Sequence, residues 1–461
     1  MKIKVFFVVF LLFAINMDVL YASVANTEDF NLSDYCTSKT EDIAPIINRL
    51  LKEGNVYIPM GEWLLESKII LPSGKKIYGA GKEFTILSAK EPLRMIEIVG
   101  DVNEVCNIYF KGANITDKDS YLIFKRKGTK NLIVRDCAFE GATGGIFINA
   151  VCDSIYIYGC EFSKMYPCKK RITSGYGIVF NHNDKYKERG VINGAIVSNI
   201  FRETVYRHSL YLQSCEDIMV RNNVFYSTSE KKYTSYEFQV LIRGGRNIVF
   251  EGNKISGGYG FVNSTESNYH GLGSNIIIRN NEFINNINNG TNMGIINIRF
   301  NNAMIYNNSF LGFNTTGIYI VNVDNVVIEG NHFELKPNAN YPIIDLTGKR
   351  IESLTLKRNI ITLPVNMKEP AVKIKKTKAR SLIIENNIIR GGKVGIQLYR
   401  LQLDSLLVFG NTHDGVLCQY SKNSINMLVK YSKNISRQHP QIKVYGETYR
   451  EVVENITQTC D

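Results

Sequence analysis

Glu216-Asp217-Ile218-Met219-Val220-Arg221-Asn222-Asn223-Val224-Phe225 is one copy of a repeat. The pattern returns as Arg246-Asn247-Ile248-Val249-Phe250-Glu251-Gly252-Asn253-Lys254-Ile255 and as Asn325-Val326-Val327-Ile328-Glu329-Gly330-Asn331-His332-Phe333. Each copy is a short alternating apolar strand, a turn with asparagine, and a buried phenylalanine or isoleucine. Aligning the turn position collects Cys137, Cys160, Asn199, Asn223, Asn253, Asn281, Asn308, Asn331, Asn359, Asn387 and Asn411. The steps between them are 23, 39, 24, 30, 28, 27, 23, 28, 28 and 24 residues.

A period in the twenties marks a stacked architecture, because one unit cannot bury its own apolar face. Val, Ile, Phe and Tyr alternate with polar residues, and no helical periodicity accompanies them. Each period holds about three short strands, and stacking at roughly 4.8 Å pairs every strand with its copy in the next coil. Like side chains then stack. Asparagine suits such a ladder, since it tolerates left-handed backbone angles and its amide bonds the amides above and below. Cys137 and Cys160 place a small buried residue at the same position. The expected fold is all-β, a right-handed parallel β-helix solenoid.

The formal net charge is +12, with 44% hydrophobic residues and 36 glycines. A basic surface favours nucleic acid, anionic membrane or acidic polysaccharide. The sequence contains no run of five basic residues and no nucleic-acid module, so the expected partner is an acidic polysaccharide or oligosaccharide and not nucleic acid. Residues 1–22 read as a secretory signal, with Lys2 and Lys4 before an apolar stretch and Leu20-Tyr21-Ala22 before the cleavage point. The mature chain is therefore expected to be secreted or periplasmic, a monomer, and without a membrane span. The odd cysteine count, nine, leaves at least one thiol unpaired. The expectation is buried, reduced cysteines, with a Cys418–Cys460 bridge as an option.

Thr40-Glu41-Asp42 before Ile43-Ala44-Pro45-Ile46-Ile47-Asn48-Arg49-Leu50-Leu51 predicts a short N-terminal helix ending at Gly54. A capping helix answers the unpaired first coil of a solenoid. Val56-Tyr57-Ile58-Pro59-Met60-Gly61 and Ile77-Tyr78-Gly79-Ala80-Gly81 follow. With the repeats, they resemble the opening of pectate-lyase-like β-helix proteins, and the resemblance runs to about Asn411. It implies the fold, and a polysaccharide lyase among several activities that share that fold. The expected organisation is a cap and first coils over 23–90, the β-helix over 91–413, and a C-terminal cap or tail over 414–461.

A second strand precedes each asparagine: Gly145-Ile146-Phe147-Ile148-Asn149, Gly177-Ile178-Val179-Phe180-Asn181, Ser209-Leu210-Tyr211-Leu212-Gln213, Gln239-Val240-Leu241-Ile242-Arg243 and Gly317-Ile318-Tyr319-Ile320-Val321. Alternation turns the third and fifth positions outward. By this reading the polar part of the face lies in the early and middle coils, and the late coil is apolar. The long steps carry insertions rich in Lys, Tyr and His that are expected to wall a groove.

Tyr206-Arg207-His208-Ser209-Leu210-Tyr211-Leu212-Gln213 resembles the "HGIYL" strand of β-helix enzymes acting on polysaccharides. Strict alternation turns His208 inward, although strand ends often break alternation. β-Elimination on a uronic acid needs a cation to neutralise the carboxylate, a base for the C5 proton and an acid for the leaving oxygen. The expected catalytic residues are His208, Tyr211, Arg243 and Arg207. Asn181, His182, Gln213, Lys232 and His270 are expected to bind substrate. Calcium is an optional cofactor, with Glu237, Glu266 and Asn181 as ligands in reserve. The alternatives are a β-helix glycoside hydrolase, which needs two carboxylates at a set separation, and a non-catalytic glycan-binding or adhesin-type protein.

Overall fold

The computed structural model describes residues 28–36, 38–168, 174–183, 185, 187–204, 208–226, 238–265, 273–286, 294–348, 350–421, 424–425, 429–432 and 434–436. Only the backbone is described for 203–204, 259–265, 416–421, 424–425, 429–432 and 435–436. The chain divides into two units between Arg207 and His208. Both follow one plan. A coil holds three strands, each hydrogen-bonded in parallel to its copy in the next coil.

We call the strand before the turn residue the A-strand, the one after it the B-strand, and the third the C-strand. In the first unit the A-sheet stacks Asn55–Ile58, Lys76–Gly79, Asn103–Cys106, Lys130–Arg135, Asp153–Tyr158 and Ile192–Val197. In the second it runs from Glu216–Arg221 through Arg246–Glu251, Ser274–Arg279, Asn301–Tyr306, Asn325–Glu329, Arg350–Lys357 and Lys378–Glu385 to Gln402–Phe409. The buried phenylalanine or isoleucine two residues after the turn residue is the second residue of its B-strand, and the phenylalanines stack on one another. Phe110, Phe139, Phe162 and Phe201 lie nearly parallel at 4.9–5.1 Å in the first unit. Phe283, Phe310 and Phe333 do so at 4.6–4.7 Å in the second.

The N-terminal helix spans Ala44–Leu50 and buries Ala44, Ile47 and Leu50. The Asp42 carboxylate accepts the Ala44 N–H at 3.1 Å. Its Asn48 amide bonds the strand Ile69–Leu71, accepting from the Ile70 N–H at 2.7 Å and donating to the Lys68 carbonyl at 3.0 Å.

The asparagine ladder is the main polar order of the interior. Asn281 Oδ1 accepts from the Asn253 N–H at 2.8 Å and from its Nδ2 at 3.0 Å. Asn281 Nδ2 in turn donates to the Phe250 carbonyl and to Asn308 Oδ1, both at 2.9 Å. The same set repeats at Asn308, Asn331, Asn359 and Asn387. At the thiol rungs of the first unit, Asn199 Oδ1 accepts the Cys160 N–H at 2.9 Å. Two features differ from the sequence-based reading. The left-handed residue is the one before the ladder asparagine: Asn222, Asn280, Asn307 and Asn386 have φ of 54–55°, and Gly252, Gly330 and Gly410 have 64°. The ladder residue needs an inward side chain, so the turn is made one position earlier. The ladder also runs past Asn411, whose N–H donates to Asn434 Oδ1 at 2.9 Å, beside a strand Val429–Ser432 paired on Leu406–Phe409.

Cys106, Cys137, Cys152, Cys160 and Cys168 are buried free thiols, Cys215 is buried, and Cys36 is half-buried and free. Burial pushes the Cys137 and Cys152 thiols above their ordinary pKa, which keeps them protonated and inert. The Cys418–Cys460 pairing and the signal segment lie outside the described side chains.

Glycine opens the C-strands for a packing reason. A Cβ on Gly145 would lie 2.7 Å from both the Gly177 carbonyl oxygen and the Phe162 ring. Both are held by stacked neighbours. Gly145→Ala is therefore expected to destabilise by about 2 kcal/mol through overpacking. Gly74→Ala, where a Cβ meets nothing within 4 Å but φ is +72°, measures the cost of backbone strain without overpacking for comparison in thermal melts.

Candidate functional site

The candidate face is the outer side of the C-sheet in the second unit. Its strands begin with Leu210–Gln213 and Phe238–Arg243 and continue through Gly294–Ile298, Thr316–Val321, Ile344–Thr347 and Val372–Lys375. Inward residues such as Ile318, Ile320, Ile344, Leu346 and Ile374 are buried. Register then sets Tyr211 beside Leu241, and later Asn297 beside Tyr319, Tyr319 beside Asp345, and Asp345 beside Lys373. Two residues along the strand, Gln213 sits beside Arg243 and Thr347 beside Lys375.

The expected site residues are distributed as follows. Tyr211 and Arg243 are half-buried on this outer face. Gln213 shares the Arg243 column, two residues along the strand from Tyr211, and is buried. His208 is 2% exposed. Its Nδ1 lies 2.7 Å from the Phe238 carbonyl, so that nitrogen carries the hydrogen. Its ring meets Tyr211 edge-on at 5.3 Å. In the first unit, His182 is buried, and Asn181 Nδ2 donates to Asn149 Oδ1 at 3.3 Å. Arg207, Lys232 and His270 lie outside the described residues, as do Glu237, Glu266 and most of the insertions expected to wall the groove. Among the described residues, no three His, Cys, Asp or Glu side chains converge as a metal site.

The late coils of the same face are not apolar, which corrects the sequence-based reading. Asp345 is flanked by Tyr319 on one side and Lys373 on the other. Its side chain is 14% exposed. Its Oδ2 faces Lys375 Nζ at 3.4 Å, and its Oδ1 is buried with no hydrogen-bond partner among the described residues. Desolvation is the largest influence on this carboxyl and pushes its pKa up; Lys375 and Lys373 oppose the rise, and the charge of Glu369 adds to it. Tyr319 is also pushed up, first by burial and then by the Asp345 charge, with Arg299 opposing. Glu369 is held by Lys373 at 2.6 Å. A desolvated carboxylate, a phenol and two ammonium groups thus share one patch of sheet.

Sequence reasoning missed this patch, although a signal was present. Ile344-Asp345-Leu346-Thr347 and Val372-Lys373-Ile374-Lys375 alternate in phase and lie 28 residues apart. The ladder step from Asn331 to Asn359 is also 28.

A family model described as a right-handed beta helix region matches residues 269–456. Together with parallel coils in both units, it decides the class. This chain is a right-handed parallel β-helix protein. Solved structures agree with this β-helix assignment. The A-module of the Azotobacter vinelandii mannuronan C-5 epimerase AlgE6 is 16% identical, with a TM-score of 0.52, covering 90% of this chain and 100% of that one. Gene product 12 of bacteriophage phi29 is 14% identical with a TM-score of 0.58, over 89% of this chain and 56% of that one. The DFA-IIIase of Arthrobacter chlorophenolicus A6 is 12% identical with a TM-score of 0.50, over 71% and 94%. At such identities the likeness is one of fold, and several of the β-helix neighbours are carbohydrate-active. No curated protein matches the chain by sequence. Among the described residues, no helix is long and apolar enough to cross a membrane.

Proposed function

We propose that this chain is a secreted carbohydrate-active enzyme that cleaves an acidic, uronic-acid glycan by β-elimination on the outer C-sheet face of its second unit. The observation that carries this reading is Asp345, a desolvated carboxylate with an unpartnered oxygen, set between a phenol and two lysines. Lys375 and Lys373 neutralise the uronate carboxylate and make the neighbouring C5–H acidic. Asp345 takes that proton. The electron pair becomes the C4=C5 double bond, the C4–O4 bond breaks, and Tyr319 gives its phenolic proton to the departing oxygen. Burial of both groups serves these roles, since it keeps the base basic and the phenol protonated. Tyr211, Gln213 and Arg243 extend the face and hold more of the chain. The epimerase neighbour is named for chemistry at C-5, the carbon where elimination also begins.

A second reading, hydrolysis, is favoured by one observation. Glu369 is a second carboxylate close enough to raise the Asp345 pKa, and hydrolases work with a carboxylate pair. Incubation with a panel of uronic-acid polymers separates the two. Elimination is expected to yield an unsaturated sugar with its ultraviolet absorbance. New reducing ends without that absorbance would replace the lyase with the hydrolase, and binding without either product would remove the enzyme.

The basic face leads to a salt prediction. Raising ionic strength from about 0.05 to 0.5 M shortens the Debye length severalfold. KM for a polyuronate is expected to rise about tenfold over that range, while the melting temperature holds. A KM independent of salt would point to a neutral glycan.

A further inference from the structure

The outer face of the A-sheet in the second unit takes no part in this chemistry, yet it is patterned. Successive coils place Met219, Val249, Ile277, Met304, Val327, Thr355, Ile383 and Leu407 in one outward column. Met304 is 43% exposed. Two residues along each strand a second column reads Arg221, Glu251, Arg279, Tyr306, Glu329, Lys357, Glu385, and ends on the uncharged Phe409. Its signs alternate and invert about Tyr306.

We propose that this face is a self-association surface, on which a second copy of this chain packs with its coils running in the opposite direction. A two-fold axis lying along the strand Asn301–Tyr306 maps each column onto itself and reverses the coil order. Arg221 then opposes Glu385, Glu251 opposes Lys357, and Arg279 opposes Glu329, each pair occurring twice. Tyr306 meets its own copy. In the apolar column Met219 meets Ile383, Val249 meets Thr355, Ile277 meets Val327, and Met304 meets itself. A two-fold axis along the stack instead sets the charged column against the neighbouring Asn247, Asn275 and Asn302 column and makes none of these pairs.

The charges are held in place for this use. Arg279 bonds Glu251 at 3.0 Å and Tyr306 Oη at 2.8 Å, and Lys357 lies 3.4 Å from Glu385. A second copy turns these isolated pairs into four-charge clusters around an apolar strip, the composition of an isologous interface. The strip is roughly 30 Å by 15 Å on each copy. It buries on the order of 1,000 Å² in total, the lower end of specific interfaces.

Sedimentation velocity of the full chain between about 1 and 100 µM is the test. A concentration-dependent dimer is expected. Met304→Asp sets two carboxylates on the axis and is expected to raise the dimer Kd at least 100-fold with an unchanged melt. Glu251→Lys and Lys357→Glu are each expected to weaken the dimer about tenfold, and the double swap to restore it. Val249→Cys mixed with Thr355→Cys should cross-link on mild oxidation, whereas Val249→Cys alone should not. A chain still monomeric at the top concentration, a dimer indifferent to Met304→Asp, or a monomer that sediments only with anionic lipid vesicles would each overturn the proposal.

Discussion

Asn281→Leu lowers the stability of the folded chain by about 3–4 kcal/mol, read from denaturant unfolding. Asn281 Oδ1 accepts both the N–H and the Nδ2 of Asn253, and its own Nδ2 donates to Phe250 and Asn308. The residue is 2% exposed. Leucine therefore leaves the Asn253 N–H without its acceptor and removes one bond each from Asn253 Nδ2, the Phe250 carbonyl and Asn308 Oδ1, although Nδ2 keeps the Val220 carbonyl and Oδ1 keeps the N–H of residue 281. An unsatisfied buried group costs about 1–3 kcal/mol and each further lost bond about 1 kcal/mol. Leucine also interrupts a column in which every amide bond is polarised by the next. The outer ladder supplies the contrast. Asn325 Nδ2 donates to Asn302 Oδ1 at 2.9 Å, but water reaches that side of the sheet. Asn325→Ala is expected to cost about 0.5 kcal/mol. Equal losses for the two variants would mean that the inner amides are solvated.

Asp345→Asn removes the base and is expected to lower turnover on the order of 10³-fold. Binding of the polyuronate should persist, because Lys373, Lys375 and Arg243 remain. The stability effect has the opposite sign from a lost ion pair. The Asp345 carboxyl has its folded pKa raised by desolvation. The folded state thus holds its proton more tightly than the unfolded chain, and this contribution to stability is present at acid pH. It is lost as the pH rises through the folded value. Asn has no such loss, so the variant is expected to gain on the parent in melting temperature as the pH climbs from acid to neutral. For activity, the acid limb of the rate profile should lie above the ordinary aspartate range, since Asp345 must be ionised. The alkaline limb should lie above that of an ordinary phenol, since Tyr319 is raised too. An Asp345→Asn variant with full turnover would move the chemistry elsewhere on the solenoid. His208→Ala then becomes the next variant to measure, with its melt, because His208 is buried against the Phe238 carbonyl.

The sequence by itself determined the coil, the parallel stacking, the ladder from Asn223 to Asn411 and the outward placement of Tyr211 and Arg243. These follow from alternation within a strand and from the step between like residues, both local quantities. It also contained Asp345 and the lysines, but as residues in separate coils with no stated relation. What only the tertiary structure decided was which residues lie side by side across coils, how deep each sits, and which atoms find partners. Insertions of unequal length separate the early and middle C-strands, so their lateral register cannot be counted along the chain, whereas the equal 28-residue steps of the late coils leave the Asp345–Lys373 register countable. Register is set by the inner ladder, where each asparagine accepts from the coil before it. The same register brings Tyr319, Asp345 and Lys373 together and lines up the charged column on the A-sheet. The turn before each ladder residue was decided there as well, because an amide that must point inward cannot also make the left-handed bend. Desolvation completes the distinction: whether Asp345 is a surface charge or a base depends on what covers it, and neighbours stacked from other coils supply that cover.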